Sequence, residues 1–182
     1  MDKDLFVVPR LGFSLQKPSG WTFTPGQWSP GEQLDPQVDH LDQWSPYAAL
    51  PFCGAVKPHV SRSHVFAMLQ VSARPMSPPS AVEAAALLEG IQGVLRNQNP
   101  QAEILEAASC LTIAGCPANV LRCRLNLSVE VEEAQVPTRV ISRSYMIFGP
   151  RYAFTLGLSS SADPAFYLES DFVDILASLR IV

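Results

Sequence analysis

A long run of alternating residues between positions 121 and 132 is the feature that most constrains the fold of this chain. Its even positions are polar: Arg122, Arg124, Asn126, Ser128, Glu130 and Glu132. Its odd positions are apolar: Leu121, Cys123, Leu125, Leu127, Val129 and Val131. Because successive side chains of a strand point to opposite faces, the run predicts a β-strand with one buried face and one wetted or partly wetted face. We expect the rest of the chain to be arranged around its sheet.

Further alternating segments predict more strands of this sheet. They lie at His64–Arg74, Glu103–Ile113, Arg139–Phe148 and Arg151–Ser159. The last three of these and the run just described follow one another with short turns between them. Since short turns join antiparallel neighbours, four consecutive antiparallel strands are predicted.

One helix is predicted before these four strands in the chain and a second helix after them. Ser80, with Glu83 three residues later, forms a capping-box pattern at the start of the first helix. Asp163 or Ser161 is expected to cap the second helix, with Pro164 at its first position. Each helix is expected to cover a face of the sheet. The sequence therefore predicts an α+β fold, an antiparallel β-sheet flanked by two helices in an α/β/α sandwich.

The N-terminal third predicts a hairpin and then a long irregular segment. Leu11–Gln16 and Trp21–Thr24 alternate on either side of the turn at Pro18-Ser19-Gly20, with Trp21 as a core anchor. Residues 25–62 contain many prolines and keep no period, so they predict a long Pro-rich loop inserted into a single domain of residues 1–182. The loop aromatics either pin it to the core or present a contact surface. They are Trp28, Trp44, Tyr47 and Phe52.

Composition excludes some classes of function and compartment. Apolar residues make up 47% of the 182 residues and charged residues 16%, which is typical of a globular chain. The net charge of -4 argues against a nucleic-acid groove, which needs clustered cations. No apolar run approaches the length of a membrane span, and no signal-peptide pattern opens the chain. We therefore expect a cytoplasmic protein, with a periplasmic or secreted one as the alternative if a signal peptide has been removed.

Cysteines and histidines offer an enzymatic alternative. The four cysteines, at positions 53, 110, 116 and 123, match no common zinc spacing and predict buried free thiols. Cys53, His59 and His64 lie in or beside the Pro-rich loop together with acidic residues at 35, 39 and 42 and His40. A small hydrolase or metal-dependent enzyme centred on residues 39–64 is therefore conceivable. No nucleophile-elbow or zinc-protease motif accompanies these residues, so we predict no catalytic residue, metal or cofactor.

Five arginines fall on neighbouring predicted strands. They are Arg122, Arg124, Arg139, Arg143 and Arg151. Cross-strand pairing with nearby glutamates would explain them structurally. A basic surface that meets an acidic partner is the alternative interpretation.

Several short sequence motifs resemble those of the PsbP-like superfamily, which includes photosystem II PsbP, the Ran-binding Mog proteins and small bacterial relatives. One phrase is Leu11-Gly12-Phe13-Ser14-Leu15 running into Pro18-Ser19-Gly20-Trp21. Another is the turn Gly115-x-Pro117-Ala118 before a long strand. The third is the closing pattern of Tyr145–Phe148, Tyr152–Leu158 and a helix ending at Arg180. The resemblance implies this fold and a binding role, and it transfers no functional residue.

The resemblance and the missing catalytic motifs together predict a non-enzymatic, protein-binding accessory protein. Some bacterial relatives look like chaperones of secreted effectors, so an adaptor or chaperone role in bacterial secretion is expected. We expect a protein partner, no nucleic acid and no transmembrane segment, and a homodimer is possible through an exposed strand or sheet face. The predicted partner-binding residues are Trp28, Trp44, Tyr47, Phe52, Arg122 and Arg124.

Overall fold

The computed structural model describes residues 4–24, 50–57, 66–131, 134–163 and 168–182. The helices are α1 (Ala81–Gln98) and α2 (Glu169–Ser178). The strands are β1 (Leu5–Val8), β2 (Phe13–Gln16), β3 (Thr22–Phe23), β4 (Leu50–Lys57), β5 (Ala67–Pro75), β6 (Glu103–Ile113), β7 (Cys116–Val131), β8 (Ala134–Phe148), β9 (Tyr152–Ser161) and β10 (Arg180–Ile181).

Seven of these strands form one antiparallel sheet in the order β3-β4-β5-β9-β8-β7-β6. Strands β6 to β9 pair with their neighbours in the chain, so the predicted run of four antiparallel strands is confirmed. The turn between β6 and β7 contains Ala114 and Gly115, both with positive φ. Such turns match the twist of the strands that they join.

The N-terminal hairpin differs from the predicted one. Strand β2 pairs with β1 and with β10 in a separate three-stranded sheet, whereas β3 pairs with β4 in the large sheet. The turn at residues 18–20 therefore carries the chain from one sheet to the other. The reason is burial: Phe6 of β1 and Leu15 of β2 lie opposite each other and are both buried. Trp21 is a buried core residue, as predicted.

Part of the predicted Pro-rich loop is a strand. Residues 50–57 form β4, which pairs along its length with β5. The prediction of irregular structure is wrong there because Cys53 and Ala55 are buried on the inner face of the sheet. Pro51 lies at the register shift that interrupts the pairing, where a missing N–H is tolerated. Residues 25–49 and 58–62 lie outside the described residues.

The large sheet has a different layer on each face. On its inner face, α2 and the three-stranded sheet enclose the main core, where Phe13 stacks on Phe154 with ring centroids 5.3 Å apart. On its outer face, α1 packs over β6 and β7, and Ala84 contacts a small cluster containing Phe148 and Ala153. These layers confirm the predicted α+β arrangement with an antiparallel sheet and two helices.

The two helices begin differently from each other. Helix α1 starts with the predicted capping box, in which the Ser80 hydroxyl accepts from the Glu83 N–H and the Glu83 carboxylate accepts from the Ser80 N–H. Helix α2 starts at Glu169, with Leu168 at its N-cap. The predicted start at Asp163 and Pro164 is therefore wrong; residues 164–167 lie outside the described residues.

At the start of the alternating run Leu121 and Cys123 are buried and Arg122 and Arg124 half-buried, as predicted; before the run begins, β7 is buried on both faces. Leu121 and Cys123 lie on the outer, α1-covered face, while Ala118 and Val120 are buried in the main core. Burial on both faces follows because the sheet lies between two layers at this point. Toward the other end of the strand the pattern weakens, and Leu127 is 39% exposed.

Candidate functional site

The structure describes three of the six residues that the sequence grouped as a partner-binding site. Trp28, Trp44 and Tyr47 lie outside the described residues, and so do Asp39, His40, Asp42, His59 and His64 of the enzymatic alternative. Phe52, Arg122 and Arg124 are described, on two different strands.

Phe52 belongs to the core and not to a contact surface. It lies on β4, is only 2% exposed and meets the ring of Phe13 edge-on at 5.0 Å. It also contacts the rings of Phe6 and Phe154. The assignment of Phe52 to a loop surface is corrected, because its aromatic neighbours remove it from water. Of the two roles considered for the loop aromatics, Phe52 has the pinning role.

Two of the five arginines of the predicted row, Arg124 and Arg143, make a cross-strand and an interlayer ion pair. Arg124 on β7 forms a salt bridge with Glu103, its register partner on β6. Arg143 on β8 donates to Glu169 at the start of α2. Arg122 lies between Arg143 on one side and Glu106 on the other. The register pairs Glu103–Arg124 and Glu106–Arg122 support cross-strand charge pairing as the structural interpretation of the row, whereas Arg122 and Arg143 place two like charges side by side.

A buried tyrosine adjoins this row. The Arg143 guanidinium lies 3.5 Å from the Tyr145 hydroxyl. Burial raises the pKa of Tyr145, and the positive charge of Arg143 opposes that rise. The carboxylates of Glu106 and Glu169 also raise the pKa of Tyr145, so Tyr145 is a neutral phenol at physiological pH.

Cys53 is the one described member of the proposed enzymatic group. Burial raises its pKa to about 12, so its thiol remains protonated near neutral pH. Nucleophilic chemistry needs the thiolate. Within the described residues, no group of three or more His, Cys, Asp or Glu side chains is placed to hold a metal ion. The described helices also include none with the length and apolar character needed to cross a membrane.

Strands β7 and β8 extend beyond their neighbours as a two-stranded ribbon, which we define as residues 127–131 and 134–138. Strand β6 pairs with β7 only as far as Arg124, and β9 pairs with β8 only from Val140 onward. Within the ribbon the two strands pair with each other, from Leu127 opposite Thr138 to Val131 opposite Ala134. Among the residues that the structure describes, no strand pairs with the two outer edges of the ribbon beyond the end of the sheet.

The two edges of the ribbon differ in chemistry. The β8 edge contains Pro137, which has no backbone N–H to donate. The β7 edge contains no proline, and Leu127 is 39% exposed beside it. The hydroxyl of Ser128 donates to Gln135 across the ribbon at 2.8 Å, which holds the two strands in register. The β7 edge is thus the better template for another strand.

The sequence predicted β7 as a strand but not the ribbon. One signal was available, because the alternation begun at Leu121 continues for far longer than the five or six residues of a typical strand. Where β6 and β9 end could not be read from β7 itself. The extent of the ribbon depends on residues more than 20 positions away.

The fold is thus an α+β sandwich with two antiparallel sheets. Comparison with solved structures agrees with this fold. The structure is similar to that of LpqN, involved in cell envelope biogenesis of Mycobacterium tuberculosis, with TM-score 0.57 and 15% identity over 93% of this chain and 83% of that protein. It is also similar to a crystal structure from Bacteroides thetaiotaomicron, with TM-score 0.51 and 14% identity over all of this chain and 49% of the other. The chain spans about half the length of that Bacteroides protein.

The solution structure of cyanobacterial PsbP from Synechocystis is a further neighbour, with TM-score 0.49 and 15% identity over 100% of this chain and 95% of that protein. The LpqN and Bacteroides structures agree with the α+β fold described above. At these identities the likeness concerns the fold alone. No protein-family model matches the chain, and no curated protein matches its sequence.

Proposed function

We propose that this chain is a non-enzymatic accessory protein that binds another protein through the β7 edge of its ribbon. The observation that carries the proposal is the extension of β7 and β8 beyond β6 and β9. Exposed strand edges carry backbone donors and acceptors that invite pairing with another chain. An extended peptide that adds a strand in line with β6 would satisfy them, with Leu127 as an apolar contact.

The geometry favours addition at one edge over the other. A strand added to β8 would face Pro137, where one hydrogen bond of the ladder is missing. A strand added to β7 meets a proline-free segment that begins where β6 stops pairing, at Arg124. The partner segment is therefore expected to be extended and to carry an apolar side chain facing Leu127.

The predicted role of the loop aromatics belongs to the same proposal. Trp28, Trp44 and Tyr47 are proposed as further partner contacts on the sequence argument alone. A place in bacterial secretion, as an adaptor or chaperone, likewise rests on the family resemblance. For the compartment, we propose the cytoplasm, where free thiols persist, since all four cysteines are free.

The experiment is affinity capture of the tagged chain from an extract of its native cells, followed by mass spectrometry. Three forms are compared: wild type, Leu127→Lys on the ribbon, and Val94→Lys on α1. Val94 is a matched control because it is also an exposed apolar residue, at 54%, on a different surface. Thermal unfolding of all three forms verifies that each is folded.

We expect wild type and Val94→Lys to capture a partner in stoichiometric amount. Leu127→Lys should capture at least severalfold less of the same partner. Equal amounts of partner captured by the two lysine variants would show that the ribbon is not the contact surface. No captured protein, together with turnover in a hydrolase screen, would replace the accessory role with the enzymatic alternative. Sedimentation at several concentrations distinguishes a homodimer built through the same edge, which Leu127→Lys would weaken.

A further inference from the structure

The part of β7 that continues past β6 has an edge that is complementary to itself. Strand β6 pairs with β7 only as far as Arg124, and β7 continues to Val131. We call residues 125–131 the β7 extension. Within the described part of the chain, no strand pairs with the extension on the β6 side. The extension is regular, because β7 pairs with β8 without a register shift from Ala118 to Val131.

The other edges of the large sheet are less suited to a new strand. The register of β6 with β7 shifts twice, before Glu106 and around Cys110, whose φ is +63°. Such bulges bend a strand and interrupt its row of donors and acceptors. The β8 side of the ribbon contains Pro137, and β3 at the far end of the sheet has only two residues. Among the described strands, the β7 extension is therefore the best edge of this sheet for strand addition.

Alternate residues of the extension direct their backbone groups away from β8. The N–H and C=O of one residue point to the same side of an antiparallel strand, and those of the next residue point to the other side. Ile113 lies opposite Cys116 across a two-residue turn, and the hydrogen bond of such a turn makes the even positions of β7 face β6. Val131 lies opposite Ala134 with two residues between them, so the odd positions face β8. The outward-facing residues of the extension are Asn126, Ser128 and Glu130.

A second copy of the extension satisfies all of these backbone groups at one register. Two antiparallel strands related by a twofold axis at Ser128 place Ser128 opposite itself. Asn126 then lies opposite Glu130 of the second copy on each side of the axis. The result is three residue pairs, each with two backbone hydrogen bonds. An axis at Leu127 would leave only two such pairs, because it brings Glu130 of the second copy to Arg124, which already pairs with β6.

The residue types that this register brings together are compatible with each other. On one face of the joined strands, apolar residues meet across the axis. These pairs are Leu127 with Val129 and Leu125 with Val131. On the other face, Ser128 meets its own copy and Asn126 meets Glu130, so no like charges lie opposite each other. Leu127, which is 39% exposed in the single chain, would be covered by the second copy.

We propose that the β7 extensions of two copies pair across a twofold axis at Ser128 and join two chains into one continuous sheet. The pair spans only residues 125–131, so its interface is smaller than the about 1,600 Å² of a standard complex. A reversible dimer at micromolar concentration is therefore expected. The same backbone groups cannot serve a second copy and a partner peptide together. In a consequence that rests on the proposed function, the second copy covers the edge until a partner displaces it.

Cysteine cross-linking tests the position of the axis. Ser128→Cys and Asn126→Cys, both at exposed positions, are made in a Cys110→Ser background, because Cys110 is the exposed one of the four native cysteines. The two Cα atoms would lie about 5.5 Å apart at position 128, within the range of a disulfide, and roughly 14 Å apart at position 126. Under mild oxidation, we expect severalfold more covalent dimer with Ser128→Cys. Equal yields from the two variants would overturn the axis at Ser128.

Sedimentation equilibrium tests the dimer in the unmodified chain. Wild type and the control Val94→Lys should show a dimer fraction that rises between about 1 and 200 µM. Leu127→Lys should remain monomeric over this range, because it puts a charge into the apolar row. A wild-type chain that is monomeric throughout would overturn the dimer, whatever the cross-linking variants do. Thermal unfolding verifies the variants, since Ser128→Cys removes the hydrogen bond to Gln135.

The dimer and the proposed function can fail separately. A cross-linked dimer from a chain that captures no other protein would support the dimer and count against the partner role. A captured partner with a monomeric wild type would do the reverse. Where both stand, oxidised Ser128→Cys should capture severalfold less partner than the same chain after reduction. Equal capture before and after reduction would overturn the competition between the partner and the second copy.

Discussion

Arg143 and Glu169 form a two-pronged ion pair that joins β8 to the first residue of α2. The Nη1–Oε1 and Nη2–Oε2 distances are 2.8 and 2.9 Å. The Arg143 side chain is 7% exposed, whereas that of Glu169 is 46% exposed. The pair is therefore unequal, because loss of the carboxylate leaves a charge in the core and loss of the guanidinium leaves a carboxylate in reach of water.

This inequality predicts an asymmetric response to substitution. Glu169→Gln should lower the free energy of unfolding by about 1–3 kcal/mol, since the buried guanidinium loses its charged acceptor. Arg143→Met should cost less, because Met retains the packing and water solvates Glu169. Urea denaturation measures both, with Glu103→Gln as the control for an exposed pair, expected within about 1 kcal/mol of wild type. A larger loss for Arg143→Met than for Glu169→Gln would contradict this account.

Asp171 attaches the same helix to the other end of the sheet. Its Oδ2 accepts from the indole N–H of Trp21 and from the ammonium of Lys57, both at 2.7 Å. Asp171→Ala should lower the free energy of unfolding by about 2 kcal/mol, because the buried indole loses its acceptor. Asp174→Ala, an exposed carboxylate on the same helix, is the control and should leave stability almost unchanged. Similar losses in the two variants would mean that helix charge, not the Trp21 contact, is responsible.

Local patterns predicted the elements that depend on near neighbours. The Ser80–Glu83 capping box is confirmed because its hydrogen bonds span three residues. Strands β6 to β9 are confirmed because alternation and short turns determine consecutive pairing. The same reasoning failed at the N-terminus, where β2 alternates as predicted but joins β1 and β10 rather than β3.

The candidate sites could not be predicted because they depend on distant contacts. The hydrogen bond of Asn119 is one such contact, because its partner oxygen at Ala84 lies 35 positions earlier in the chain. Phe52 was assigned to a loop because prolines surround it, yet it lies in β4, which pairs with β5, and its contact with Phe13 places it in the core. Prolines disfavour regular structure locally, but pairing with β5 outweighs that preference.

Cys53 predicts a dependence of stability on alkaline pH. Burial raises its pKa from 9.0 to about 12. Between these values the unfolded chain loses the Cys53 proton and the folded chain keeps it, so unfolding releases a proton and stability falls as pH rises from 9 toward 12. The contribution is complete below pH 9, and the slope from this thiol approaches about 1.4 kcal/mol per pH unit.

Cys53→Ala isolates this contribution. Burial also raises the pKa of Cys116, Cys123 and Tyr145, so wild type carries several such dependences. The difference between wild type and Cys53→Ala in urea denaturation from pH 7 to 10.5 reports Cys53 alone. We expect the variant to lose less stability above pH 9. Parallel curves would show that Cys53 ionises in the folded chain as readily as in the unfolded chain.

The β6–β7 turn predicts a stabilising substitution. Ala114 and Gly115 have φ of +50° and +78°, and the strands pair directly on either side of them. Such two-residue turns favour Asn followed by Gly, and Ala in a left-handed conformation costs about 1–2 kcal/mol. Ala114→Asn should therefore raise the free energy of unfolding by about 0.5–1 kcal/mol in urea denaturation.

Gly115→Ala is the matched test of the same cause. A Cβ at Gly115 would meet no atom within 4 Å, so the expected loss of about 1 kcal/mol comes from backbone conformation alone. A gain in the free energy of unfolding for Ala114→Asn and a loss for Gly115→Ala would support backbone strain as the explanation. A loss of stability in Ala114→Asn would show that contacts of the Ala114 methyl group with the core outweigh the strain, since Ala114 packs against that core.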